Sequence, residues 1–78
     1  MATTTGTIAD LFTARMEQCL YERDASMQDA RWLQDITIPL CKTEYDRTRA
    51  ATQLQTLVRL ARSRNQAAMN YRARAKNA

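Results

Sequence analysis

The side chains that most often carry out catalysis are scarce in this chain. It has no histidine, which is the commonest general base and metal ligand in enzymes, and its two cysteines are Cys19 and Cys41. Its single glycine, Gly6, rules out a glycine-rich loop that cradles phosphate. Its scattered carboxylates have no pocket to desolvate them if the fold is a helical hairpin. The composition therefore predicts a protein that is not an enzyme, with no cofactor, no metal site and no small-molecule substrate.

Basic side chains are concentrated in the C-terminal half. Residues 1–38 carry three arginines against six carboxylates, a net charge of −3, whereas residues 39–78 carry nine cations against two carboxylates, a net charge of +7. Such a helix can contact phosphates, and a tyrosine within it can stack on a base. A solvated helix end, or a patch that binds an acidic protein, explains the same charges. The candidate residues are Arg59, Arg62, Arg64, Tyr71, Arg72, Arg74 and Lys76.

A second surface is indicated by aromatic residues in the first half. Ala14, Tyr21, Ala25 and Trp32 repeat at intervals of seven, four and seven residues, and glutamines fill the gaps on the same line. Exposed aromatic rings beside small residues are typical of packed protein interfaces. Tyr45 similarly lies off the main apolar stripe of its helix, so these five residues form the predicted partner-binding set. Alternatively, a rotated or broken first helix places Tyr21 and Trp32 at the edge of the hairpin.

The elements that must position these residues are two long helices. After Gly6 the only helix-breaking residue is Pro39, near the midpoint, so the sequence predicts an all-α, long antiparallel helical hairpin. The predicted bounds are a polar leader over 1–7, helix one over 8–36 and helix two over 39–75. Thr7 and Asp10 form a weak capping-box pattern at the first start. A similar pattern at Ser26 and Asp29 would give three helices if helix one breaks near Asp24.

A turn at 36–39 also predicts which residues face each other. Equal rise along both helices makes the numbers of paired residues sum to about 75. The two thiols then lie several turns apart, too far for a disulfide, and everything after about Met69 forms a basic C-terminal overhang. The predicted buried stripes consist of Ile8, Leu11, Phe12, Met16, Cys19, Leu20, Met27, Ala30 and Leu33 on helix one, and of Ala50, Leu54, Leu57, Val58, Ala61 and Ala68 on helix two.

The length of the chain favours a protein that works with a partner. Its 78 residues make one domain, 1–78, and two helices share only one seam, so stability is marginal without further contacts. We therefore expect a non-enzymatic protein-interaction or structural protein, acting as a homo-oligomer or a small subunit of a larger assembly, with a phage or viral particle as one fitting context. The alternative is a nucleic-acid-associated protein that uses the Arg-rich helix.

The expected location is the cytoplasm, or a particle assembled there. The sequence has no apolar run that could span a bilayer, its start lacks the basic and apolar regions of a signal peptide, and its cysteines are expected to stay reduced. No membrane partner is expected.

Overall fold

A computed structural model describes residues 7–78 as two long helical arms packed antiparallel. The first arm contains the helix α1 (Ile8–Trp32), a π-helical turn (Leu33–Thr37) and the short helix α2 (Ile38–Leu40). The second arm is a single helix, α3 (Glu44–Asn77), and residues 7–78 include no strand. The molecule measures 61 × 23 × 14 Å, so it is one layer of helices thick. The predicted all-α helical hairpin is confirmed.

The first arm begins at the predicted capping box. The Asp10 N–H donates to Thr7 Oγ1 at 3.1 Å, and the Thr7 N–H donates to Asp10 Oδ2 at 3.2 Å. This exchange satisfies two of the backbone donors that every helix start leaves free. The rest of the predicted polar leader, residues 1–6, lies outside the described residues.

The first arm does not break near Asp24. The helix α1 is continuous through this region, and Ser26 is buried instead of capping a new helix. A break would need a residue that ends the helical hydrogen bonding, and no glycine or proline occurs there. The three-helix alternative, in which helix one ends near Asp24, is therefore wrong.

The first arm also continues through Pro39, which the sequence placed at the start of helix two. A proline has no N–H to donate, and its ring crowds the carbonyl four residues earlier, here that of Asp35. The π-helical turn spans Asp35, and at its end the Ile38 N–H donates to the Leu33 carbonyl, five residues back. This wider turn accommodates the proline. Helix one therefore ends at Leu40 instead of residue 36.

The reversal of the chain occurs at 41–43. Cys41 has an extended backbone, with ψ of 128°, which ends the first arm, and its Sγ donates to the Thr37 carbonyl at 3.2 Å. Thr43 then caps α3, because its Oγ1 accepts the Asp46 N–H at 3.1 Å. Helix two consequently starts at Glu44 instead of Pro39, and it extends to Asn77 instead of residue 75.

The later turn changes which residues of the two arms meet. Arg64 Nε lies 3.0 Å from Glu22 Oε2, whereas the predicted register places Glu22 opposite about residue 53. Near the open end, the rings of Phe12 and Tyr71 have their centroids 6.2 Å apart. The predicted overhang after Met69 is therefore wrong, since the basic end of α3 packs along the beginning of α1.

The seam between the arms is built from small side chains. Among residues 7–78, those buried by accessibility are all alanine or serine: Ser26, Ala30, Ala50, Ala61 and Ala68. The larger members of the predicted stripes flank this seam and are half-buried, except Ile8 and Leu11, which are exposed. Small residues let the arms approach closely, but they bury little apolar area. The fold thus has a thin core, as the length of the chain predicts.

Candidate functional site

The aromatic row of the first arm lies on the face of α1 that α3 does not cover. At about 100° per residue, Tyr21 and Trp32 project on the side of α1 opposite the buried Ser26 and Ala30. Their side chains are 72% and 64% exposed. Ala14 and Ala25 are exposed on the same line. We call the row made of Ala14, Gln18, Tyr21, Ala25, Gln28 and Trp32 the outer seam.

The π-helical turn extends the outer seam to the end of the arm. One extra residue in a turn rotates everything beyond it by about one residue step, roughly 100°. That rotation brings Leu40 into line with Trp32 and turns Ile38 towards the second arm. Trp32, Ile36 and Leu40 accordingly line one shallow depression, and Leu40 is 72% exposed. The sequence prediction missed Ile36 and Leu40 because it ended helix one at residue 36 and assigned Leu40 to helix two.

The fifth predicted contact residue, Tyr45, lies elsewhere. It is exposed in the first turn of α3, on the side of that helix that points away from the first arm. The structure therefore groups Ala14, Tyr21, Ala25 and Trp32 on one surface and does not bring Tyr45 to it. The binding role of all five residues stays a prediction.

Charged residues border the outer seam on both sides. Arg15, Glu22 and Asp29 follow one edge, and Glu17, Asp24 and Arg31 follow the other. Two of these carboxylates already have cations in the same chain: Arg64 lies 3.0 Å from Glu22, and Arg23 Nη2 lies 2.9 Å from Asp24. Within residues 7–78, the other four border residues form no ion pair shorter than 4 Å, so their charges remain available to a partner.

The predicted basic surface is less coherent than the outer seam. Its six cations are all exposed, but their positions spread them around the circumference of α3 instead of along one face. Arg64 is engaged by Glu22, and the Arg74 guanidinium carbon lies 5.9 Å from the Tyr71 ring centroid. Tyr71 itself is half-buried against Phe12. Its ring takes part in the packing of the hairpin, which does not favour base stacking, and a stacking role for Tyr71 stays a prediction.

Two of the cations, Arg59 and Arg62, lie together at one groove. They border a shallow groove with Leu54, Gln55 and Val58 on α3, and residues 7–78 provide no carboxylate within 4 Å of either guanidinium. Arg72 and Lys76, near the end of the same helix, also form no ion pair within the described part of the chain. These positions can attract an anionic partner, but they supply no ring for base stacking.

Other kinds of site have little support in the described residues. Over residues 7–78, no group of three or more histidine, cysteine or acidic side chains could hold a metal ion, and no helix is long and apolar enough to cross a membrane. Cys19 and Cys41 are free and half-buried. Comparison of the chain with protein-family models, curated proteins and solved structures finds no match.

Proposed function

We propose that this is a non-enzymatic protein-interaction or structural protein, which works as a homo-oligomer or as a small subunit of a larger assembly. Its contact surface is the outer seam of the first arm. One observation carries the proposal: Tyr21 and Trp32 are mostly exposed on the helix face that the hairpin leaves uncovered. Two alanines on the same line leave space for side chains of a partner.

Because the core of the hairpin is thin, binding of a partner at the outer seam would stabilise the fold. Buried tyrosine and tryptophan side chains are frequent hot spots, and truncation of one to alanine often costs about 2 kcal/mol or more of binding free energy. Within residues 7–78 the buried positions are alanine and serine, and such a hairpin gains stability from any partner that binds its folded state. Two free cysteines fit a reducing compartment, so we place the assembly in the cytoplasm or in a particle formed there.

The test compares two variants of the purified full-length chain with the wild type across a salt series. Tyr21→Ala combined with Trp32→Ala should reduce the mass measured by light scattering and remove co-purifying proteins at every salt concentration. The matched control replaces Arg72, Arg74 and Lys76 with Gln and should leave both measurements unchanged, because these residues lie away from the outer seam. Far-UV circular dichroism checks that each variant keeps its helix content.

The nucleic-acid alternative is decided by the same samples. If the wild-type protein carries material absorbing at 260 nm that salt releases, and the Gln variant loses it while the Ala variant keeps it, the basic helix is the functional surface. That result would contradict the proposed function. Preserved mass and preserved partners in the Ala variant would contradict it equally.

A further inference from the structure

We propose that the occupant of the outer seam is a second copy of this chain, bound antiparallel about a twofold axis that crosses α1 near Arg23. This inference rests on the proposed function and names its partner. A twofold interface uses the same patch of both copies, so the patch must be complementary to itself. The outer seam meets this requirement in its spacing, in its side-chain sizes and in the charges along its borders.

The spacing of the outer seam reads the same in both directions. Its six residues are separated by four, three, four, three and four positions, so an antiparallel second copy aligns with every one of them. Tyr21 then lies opposite Ala25 of the second copy, Trp32 lies opposite Ala14, and Gln18 lies opposite Gln28. Each large ring meets a small residue, and each amide meets an amide that can both donate and accept.

A parallel arrangement fails on the same residues. It would place Trp32 against Trp32 and Ala14 against Ala14. The two tryptophan rings would then be crowded, and a gap would remain between the two alanines. Packed interfaces tolerate neither overfilling nor voids well. The sizes along the seam therefore select the antiparallel orientation.

The border charges select the same orientation. In the antiparallel alignment Arg15 lies beside Asp29 of the second copy, and Glu17 lies beside Arg31, so symmetry gives four pairs of opposite charge. These are the four border residues that form no ion pair in the described part of their own chain. The remaining two, Glu22 and Asp24, approach their own copies near the axis, where Arg64 and Arg23 offset their charge. In a parallel pair, Glu17 would instead face Glu22.

The extended ends of the seam complete the contact. Allowing for the extra residue of the π-helical turn, Leu11 faces Ile36 of the second copy, and both are exposed in the hairpin. Four aromatic rings, each about two-thirds exposed, would bury on the order of 500 Å². Leu11, Ile36 and Leu40 of both copies add to this, which brings the contact to the roughly 1,000 Å² that a specific interface requires.

The first experiment measures the mass of the full chain in solution by light scattering. The expected value is twice the 9.0 kDa of one chain. Arg31→Glu should raise the dissociation constant about tenfold or more, because two attractive pairs become repulsive. Glu17→Arg should act similarly, and the two changes together should restore the dimer. Arg59→Glu, an exposed change of equal charge outside the seam, is the matched control and should leave the dissociation constant unchanged.

The second experiment fixes the orientation. In a chain with Cys19→Ser and Cys41→Ser, the single variants Arg15→Cys and Asp29→Cys should form a disulfide when mixed and oxidised, but not when oxidised separately. Absence of the mixed cross-link, or equal cross-linking of each variant with itself, would overturn the antiparallel arrangement.

Two results distinguish failure of this inference from failure of the proposed function. If the mass depends on Tyr21 and Trp32 but the charge-reversed double variant is not rescued, the antiparallel second copy is wrong while the interaction surface stands. If the wild-type chain is monomeric at about 100 μM, yet other proteins still co-purify through Tyr21 and Trp32, the same conclusion holds. If Tyr21→Ala with Trp32→Ala changes neither mass nor partners, both proposals are overturned.

Discussion

At the scale of single residues, alanine sets the distance between the arms. Ala68 is fully enclosed and Ala61 is nearly so, and neither side chain loses rotamer entropy when it is buried. Their short side chains let the backbones of α1 and α3 lie close together. The half-buried residues beside them, such as Leu57 and Val58, then cover the seam without filling it. The close approach of the arms and the half-buried larger side chains beside the alanines together stabilise the hairpin.

Enlarging one of these alanines should separate the arms. We expect Ala68→Leu to lower the free energy of unfolding by about 1–3 kcal/mol, because the added atoms have no space in the seam. Ala73→Leu, at an exposed position one and a half turns further along α3, should change it by less than about 0.5 kcal/mol. Urea denaturation followed by circular dichroism compares the two. Equal effects would show that Ala68 does not face the first arm.

The sequence predicted which residues are exposed better than it predicted which residues of the two arms contact each other. Tyr21 and Trp32 could be placed outside the seam because heptad spacing fixes which side of a helix a residue occupies. Tyr71 could not be placed, because its neighbour Phe12 depends on the register of two arms about a turn. A small error in the position of that turn is doubled in the pairing, so residues at the open end were assigned to no partner.

At the scale of helices, the starts of the two arms use the same device. Thr7 and Asp10 begin the first arm, and Thr43 and Asp46, with the same spacing, begin the second. In both, the threonine hydroxyl oxygen accepts the N–H of the aspartate, and the aspartate places negative charge in the first turn. The second pattern is visible in the sequence and would have located the true start of α3.

Removing the second cap should therefore destabilise the hairpin. We expect Thr43→Ala to cost about 1 kcal/mol of unfolding free energy, the usual loss when an N-cap threonine is replaced. Thr48→Ala, on the exposed surface of the same helix, is the control and should be neutral or slightly stabilising because alanine favours helices. Thermal unfolding at one protein concentration measures both. A similar loss in the control variant would mean that the cap at Thr43 contributes nothing.

The two antiparallel arms could be predicted from the sequence, but the path of the chain through Pro39 could not. A proline cannot donate the backbone hydrogen bond of a helix, and its ring cannot lie close to the carbonyl four residues earlier. The backbone can respond either by ending the helix or by widening one turn. These two responses give the next residues different directions. Widening at 33–37 directs Ile38 towards the second arm and leaves Thr43 free to cap α3. The packing of Ile38 and the cap at Thr43 both depend on the position of the second arm, so local helix propensity does not predict them.

At the scale of the whole molecule, the hairpin is a thin rod that exposes several of its large apolar residues. It is only 14 Å in its shortest dimension, and Leu11, Tyr21, Trp32 and Leu40 lie on its surface. A second copy on the outer seam would create a layer of four helices, with the acidic first arms inside and the basic second arms outside. Folding and association would then be linked, since each adds to the stability of the other.

Linked folding and association predict a melting temperature that depends on protein concentration. For the wild-type chain we expect the midpoint to rise by several degrees across a hundredfold increase in concentration, since each tenfold step adds about 1.4 kcal/mol to a two-chain equilibrium. The Tyr21→Ala, Trp32→Ala variant should melt at a lower temperature that does not vary with concentration. Differential scanning calorimetry on both proteins provides the measurement. A wild-type midpoint independent of concentration would contradict the linkage.

The single turn at 41–43 also orders the steps by which the hairpin can form. Contacts beside it close loops of only a few residues, whereas Phe12 and Tyr71 close a loop of about sixty, and the entropy cost grows with the logarithm of that length. Once the turn is made, each further pair closes only a slightly longer loop than the last. The chain can therefore zip from the turn to the open end, in the manner of proteins whose contacts are mostly local. The ring pair at the open end is then the last contact to form and the first to be lost.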